Sequence, residues 1–220
     1  GHGRISTLIK GSQRTKSWML GQYDLFYTCE LLFYANAKED LHLIRECSPV
    51  NTRSLLRTNW RACAGASFVS DLLYRISPPL ASAGELYRLA EITLNALGSR
   101  PPTPALLFWF ELKVLADLGV YPDLDCGTSQ NTVFDYQAGR VLPSGSETSP
   151  QSLPITAGSL SAMRKLVSLE TPDRISRLRL QSGQVREIAS HLDKFSQWHL
   201  DLHLPSRSKA LELFERETGH

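Results

Sequence analysis

Basic residues near the start of the chain, four scattered cysteines and a late run of histidines are the side chains here that could do chemistry. Residues 1–20 hold Arg4, Lys10, Arg14 and Lys16 with no acid, a local +4; the formal net charge is +2, so the other 200 residues sum to −2. Such cations neutralise phosphates and release counterions without reading sequence. Trp18 lies beside them and offers a face on which a base can stack, the second requirement of a single-strand binding track. A solvated basic loop is the competing reading. Tyr23, Phe26 and Tyr27 are expected in the core more than as stacking platforms. Arg207 and Lys209, after Pro205, are candidates to extend the track, with a solvated turn as the equal alternative. Arg174, Arg177, Arg179 and Arg186 mix with Asp173 and Glu187 and read as a solvated face.

Cys29, Cys47, Cys63 and Cys126 form no CxxC pair, which argues for a reducing, cytoplasmic setting over a disulfide scaffold. His191, His199 and His203 fall at steps of eight and four. The last step could present two imidazoles to a metal, but surface or packing roles are expected. Glu111 stands alone in an apolar helix, where a carboxylate must be neutral or find a cation; Phe108, one turn earlier, supplies none. No nucleophile–base set or phosphate loop is present, and an enzyme is not expected. No apolar run approaches the ~20 residues of a membrane span, and no signal peptide or lipidation motif is seen. The chain starts Gly-His-Gly without Met, so a processed or partial chain is expected.

The elements that must position these residues change in character along the chain. Residues 4–10, 20–34 and 40–46 are β-branched, aromatic or alternating, and predict three antiparallel strands of a small sheet. From Pro49 the pattern turns helical. Asn51 or Thr52 is the expected cap, and Leu56, Trp60, Cys63, Ala64, Ser67, Phe68 and Leu72 keep helical spacing to Ile76. A second helix spans 85–97. The third, 105–118, carries Leu107, Phe110, Val114 and Leu118 at three- and four-residue steps, with Pro104 at its start and Gly119 as a left-handed cap. So apolar a helix is buried on most sides. Residues 120–154 predict a hairpin around 137–139 and a flexible tip at SGSETSPQS. Helical segments follow at 155–170, 173–180 and 184–202.

Phe110-Glu111-Leu112, Leu118-Gly119, Pro122, Leu124 and Cys126 together resemble the RecO family of recombination mediators. So do Gly3-Arg4-Ile5, Lys10-Gly11, Arg14 and Ser17 near the start, and the closing SRSKALELF. The resemblance implies an α+β chain: a partial OB-fold barrel over 1–48, lacking one or two strands, then a mainly helical domain over 49–220. A degenerate zinc-knuckle-like insertion lies at about 120–154. Family members hold zinc through four cysteines. Here Cys126 keeps the first position, while Ser129, Pro143 and Ser146 stand at the others, so neither metal nor cofactor is expected, and the insertion should rest on Phe134, Tyr136 and Leu142, poorly anchored.

Implied partners are single- and double-stranded DNA, RecR and single-strand-binding protein, in a cytoplasmic, nucleoid-associated setting without membrane contact. The implied activity is annealing of complementary strands and, with RecR, loading of RecA. Lys113, Arg164 and Lys165 are weak candidates for the rim of a partner groove. The alternative is a helical interaction scaffold that has lost DNA binding.

Overall fold

A computed structural model describes residues 3–10, 20–35, 41–77, 79, 83–126 and 131–215. The chain is α+β and divides into two compact units, Gly1–Arg100 and Pro101–His220.

In the first unit, strands β1 (Ser6–Leu8), β2 (Thr28–Tyr34) and β3 (Leu41–Asn51) form a sheet in the order β1-β3-β2. β2 runs antiparallel to β3, but β1 pairs parallel with β3, Ser6 opposite Leu41 and Leu8 opposite Leu43. This corrects the all-antiparallel expectation: the chain passes through β2 before returning beside β1, and parallel neighbours need such a crossover. β2 begins at Thr28 because residues 20–27 turn, with Gly21 at φ 79° and Phe26 at φ 65°. β3 runs past Pro49 to Asn51. The proline is tolerated because β1 covers β3 only at Leu41–Leu43, so among the described residues one side of Pro49 faces no strand.

Three helices complete this unit: α1 (Leu55–Thr58), α2 (Trp60–Ile76) and α3 (Gly84–Leu97). The effective cap is Asn59, not Asn51 or Thr52. Its side chain accepts the N–H groups of Arg61 and Ala62 at 3.1 Å each, so a new helix starts after α1. The buried stripe is correspondingly rotated to Ala62, Ala66, Phe68, Val69 and Leu72, leaving Trp60 53% exposed. Arg53, buried at φ 44°, ties the strands to α3. Its guanidinium donates to the Phe26 carbonyl (2.6 Å), Thr28 Oγ1 (2.9 Å) and Asn95 Oδ1 (2.7 Å). The expected boundary at 48/49 thus falls inside a unit that holds the sheet and α1–α3 together.

The second unit is built on α4 (Pro104–Asp117), a post buried almost all round, as its composition requires. Gly119 follows at φ 73°, the expected left-handed cap. The insertion contains the expected hairpin, β4 (Thr132–Asp135) with β5 (Arg140–Pro143). It also has a third strand, β6 (Ser152–Ile155), in the order β5-β4-β6. Pro154 hid β6 from a propensity reading, yet an edge strand accommodates it. The tip between β5 and β6 is held down, since Asp135 accepts Ser149 N–H (2.7 Å), Ser149 Oγ–H (2.6 Å) and Ala138 N–H (3.0 Å).

Four helices follow: α5 (Ala157–Ser168), α6 (Pro172–Ile175), α7 (Ser182–Leu200) and α8 (Pro205–Glu215). The insertion is firmly anchored on α7, a correction to the expectation from its missing cysteines. Phe134 stacks on His191 at 5.5 Å and meets Phe195 edge-on at 5.9 Å. Of the three expected anchors, Phe134 and Tyr136 are buried, while Val141 takes the place foreseen for Leu142.

Candidate nucleic-acid interface

Arg14, Lys16 and Trp18 lie outside the described residues. Lys10 is exposed in the turn after β1. Arg4 is half-buried and occupied: it donates to the Tyr74 carbonyl, and its guanidinium sits 4.6 Å over the Tyr74 ring near the end of α2. Around this segment Tyr23 is 39% exposed, against the expectation of a core position, and Phe26 and Tyr27 are half-buried. Arg57 lies 5.1 Å over the Tyr27 ring and pairs with Asp24. The register also aligns Leu8, Leu43 and Tyr34 across all three strands, with Leu8 45% and Tyr34 57% exposed.

The C-terminal candidates separate sharply. Arg207 is 1% exposed; Nη1 donates to Glu111 Oε1 at 2.6 Å and Nη2 to Asp193 Oδ1 at 2.9 Å. Arg207 is therefore not a phosphate contact, because its charge is spent inside the fold. It is the cation that Glu111 requires, and Ser196 Oγ donates a second hydrogen bond to the same carboxylate oxygen at 3.3 Å. Lys209 remains exposed, 3.7 Å from Glu212.

The proposed partner rim is also partly committed. Lys113 Nζ donates to the Val167 carbonyl at 3.2 Å, near the end of α5, where a cation suits the helix dipole. Arg164 donates to the Leu124 carbonyl at 2.8 Å and to Cys126 Sγ at 3.2 Å, so it fastens the first loop of the insertion. Lys165 is exposed.

Cys126 is the zinc-motif cysteine, and the donor set around it does not fit zinc. Its sulfur meets a guanidinium, Pro143 and Ser146 offer no thiolate, and Ser129 lies outside the described residues. Among the described residues no group of three or more His, Cys, Asp or Glu could hold a metal ion. His199 and His203 do not share a helix, because α7 ends at Leu200 and Asp201 turns left-handed at φ 52°.

Sequence reasoning missed the polar network beneath the insertion. The Tyr136 hydroxyl lies 2.7 Å from His191 Nδ1 in this buried site. Burial lowers the His191 pKa, partly offset by nearby Glu187. Glu187 in turn accepts Thr156 N–H (2.8 Å), Thr156 Oγ–H (2.5 Å) and Ser159 Oγ–H at the start of α5. Burial opposes ionisation of this carboxyl, but those hydrogen bonds outweigh it and hold the pKa below the ordinary value. The available signal was the four-residue step from Glu187 to His191, which puts both on one face of α7. The network braces β4, β6, α5 and α7. No helix among the described residues is long and apolar enough to cross a membrane.

Comparison with known proteins agrees with this architecture. The chain is similar to the DNA repair protein RecO of Anaeromyxobacter sp. (strain K), 28% identical over 172 residues that cover 74% of this chain and 68% of that protein. It is likewise similar to the DNA repair protein RecO of Syntrophus aciditrophicus (strain SB), 23% identical over 204 residues, 88% of this chain and 78% of the relative. With the DNA repair protein RecO of Anaeromyxobacter dehalogenans (strain 2CP-C) it shares 28% identity over 213 residues, 93% of this chain and 84% of the relative. The family model for the recombination protein O C terminal matches residues 57–208, more than half of the chain. With α4, the insertion and α7 all inside that match, the chain belongs to the RecO family.

Proposed function

We propose that the chain acts in DNA repair as a recombination mediator. In this reading it binds single- and double-stranded DNA and anneals complementary strands. With RecR, it loads RecA onto strands coated by single-strand-binding protein, in the cytoplasm at the nucleoid. Family membership across residues 57–208 is the observation that carries the reading. The local +4 of residues 1–20 supports it physically. Two strands that must anneal repel each other, and cations that bridge both backbones lower that repulsion without a chemical step. No catalytic residue is required, and the protein is proposed as a non-enzyme. The N-terminal sheet, with exposed Leu8 and Tyr34 flanking half-buried Leu43, is read as part of an OB-fold. The phosphate track narrows to Lys10, Arg14 and Lys16, with Trp18 as the stacking residue and Lys209 as an outlying contact.

A second reading, an interaction scaffold without DNA binding, is favoured by the burial of Arg207 and the engagement of Arg4 within the fold. The two separate in one experiment, binding of a labelled single-stranded oligonucleotide across a salt series. Affinity that falls steeply with salt supports the mediator; no salt-dependent binding in the full chain leaves the scaffold.

A further inference from the structure

Cys29 on β2 and Cys47 on β3 share one acceptor. Their sulfurs lie 3.5 Å and 3.4 Å from the Gln22 carbonyl oxygen. The ladder sets Cys29 opposite Pro49 and Leu31 opposite Cys47, so the cysteines are diagonal neighbours on one face of the sheet. Diagonal positions are about 7–8 Å apart at Cα and nearer at Cβ, just beyond the ~6.8 Å that a disulfide commonly spans. The difference is closable here, because β2 is an edge strand and its ladder is irregular between Thr28 and Cys29.

Access to the two thiols differs. Cys47 is 3% exposed. Cys29 is half-buried, and both line a groove of about 390 Å³ that opens between Tyr23, Tyr27 and the α3 residues Ala90 and Leu94. A small oxidant entering the groove reaches Cys29 first and finds a second thiol held on the same carbonyl. Burial, reinforced by Cys29, pushes the Cys47 thiol up to about 11, which makes it a poor first nucleophile toward the oxidant.

We propose that Cys29 and Cys47 form a reversible dithiol–disulfide site, oxidised by a peroxide and reset by a dithiol reductant. The Cys29 sulfur attacks hydrogen peroxide; an S–O bond forms as O–O breaks, giving the sulfenic acid and one water. The Cys47 sulfur then attacks the Cys29 sulfur, the S–O bond breaks, and the hydroxyl leaves as a second water with the Cys47 proton. Two thiols and one peroxide become one disulfide and two waters, and the protein gives up two electrons. A dithiol returns them by exchange. Oxidation removes both donors from the Gln22 carbonyl, so the 20–27 turn loses that hold just as β2 and β3 become cross-linked.

The test titrates the full chain with hydrogen peroxide and reads intact mass, alkylatable thiols and a tryptic map. The expected product is about 2 Da lighter, retains two of the four thiols, and joins peptide 17–38 to peptide 46–53. Dithiothreitol restores the starting mass. Cys29→Ser should abolish the mass loss and leave Cys47 reduced. Because Cys47 is buried and its replacement threatens the fold, a Cys63→Ser/Cys126→Ser variant supplies the complementary arm, in which the cross-link must form unchanged. Four thiols surviving peroxide would overturn the proposal, as would Cys29 advancing to the sulfinic acid beside a free Cys47. A cross-link through Cys63 or Cys126 would overturn it equally.

Discussion

Arg207 Nη1 donates to Glu111 Oε1 at 2.6 Å, and both side chains are 1% exposed although 96 residues separate them in sequence. A carboxylate in the wall of an apolar post is stable only while that cation is present. Removing one member leaves an uncompensated buried charge, at a cost of about 3–5 kcal/mol. Arg207→Ala should therefore lower the urea midpoint strongly, whereas an apolar pair, Glu111→Leu with Arg207→Met, should recover most of the loss. A double-mutant cycle read by urea denaturation checks this; additive losses would contradict a direct pairing.

His191 predicts how stability responds to acid. Its folded pKa is lowered, chiefly by burial, below an unfolded value of 6.5. The unfolded state then takes up a proton that the folded state refuses, so stability falls as pH drops below about 6.5. Glu187, lowered from 4.5, adds a second loss below about pH 4.5, where the unfolded carboxyl protonates and the folded one does not. Urea midpoints at pH 7.5 and 5.5 should differ in the wild type and converge in His191→Gln, which keeps a neutral partner for Tyr136.

Tyr136→Phe isolates the hydrogen bond from the ring packing. It strands His191 Nδ1 in a buried site and should cost about 1–3 kcal/mol. The aromatic stack on Phe134, at 5.1 Å, should survive and preserve the near-ultraviolet dichroism. A stability loss accompanied by collapse of that signal would mean that the ring, not the hydroxyl, holds the insertion.

Arg53 makes three hydrogen bonds from a left-handed backbone position, reaching the 20–28 segment on one side and α3 on the other. Arg53→Ala should destabilise by about 3 kcal/mol, the scale of lost charge-assisted bonds, and raise amide exchange across residues 20–28 ahead of α2. Uniform acceleration throughout the unit would show global unfolding in place of a released latch.

The basic segment is tested by Lys10→Ala/Arg14→Ala/Lys16→Ala against a salt series. Each phosphate contact on a single strand contributes about 0.7 to the slope of log affinity against log salt. The triple variant should lose about two units of that slope. Arg207 substitutions that remain folded should leave the slope unchanged, since its guanidinium is enclosed. A slope that ignores the triple variant would move the track elsewhere.

Local features were legible where the physics is local. α4 could be read from its unbroken apolar run, its leading proline and Gly119, all within sixteen residues of one another. The β4–β5 hairpin was legible from its turn. Pairings between distant segments were not. Nothing near β1 says that Leu8 will lie beside Leu43 in parallel, because no tight turn fixes that register. Glu111 announced the need for a cation but not its address, and Arg207 looked like an ordinary surface charge after a proline. Asn59 was a missed cap for a simpler reason: the apolar spacing runs on through Leu56 and Trp60, which masks the break between α1 and α2.

The distance along the chain between Glu111 and Arg207 also sets an order on biosynthesis. A ribosome working at roughly 5–20 residues per second needs about 5–20 s to travel from one to the other. Throughout that interval the nascent α4 carries a carboxylate whose counter-ion has not been translated. The Arg53 latch of the first unit closes within Gly1–Arg100. The second unit cannot bury its central helix at full strength until α8 has emerged, so a transcript cut short before Arg207 leaves that unit exposed to proteolysis.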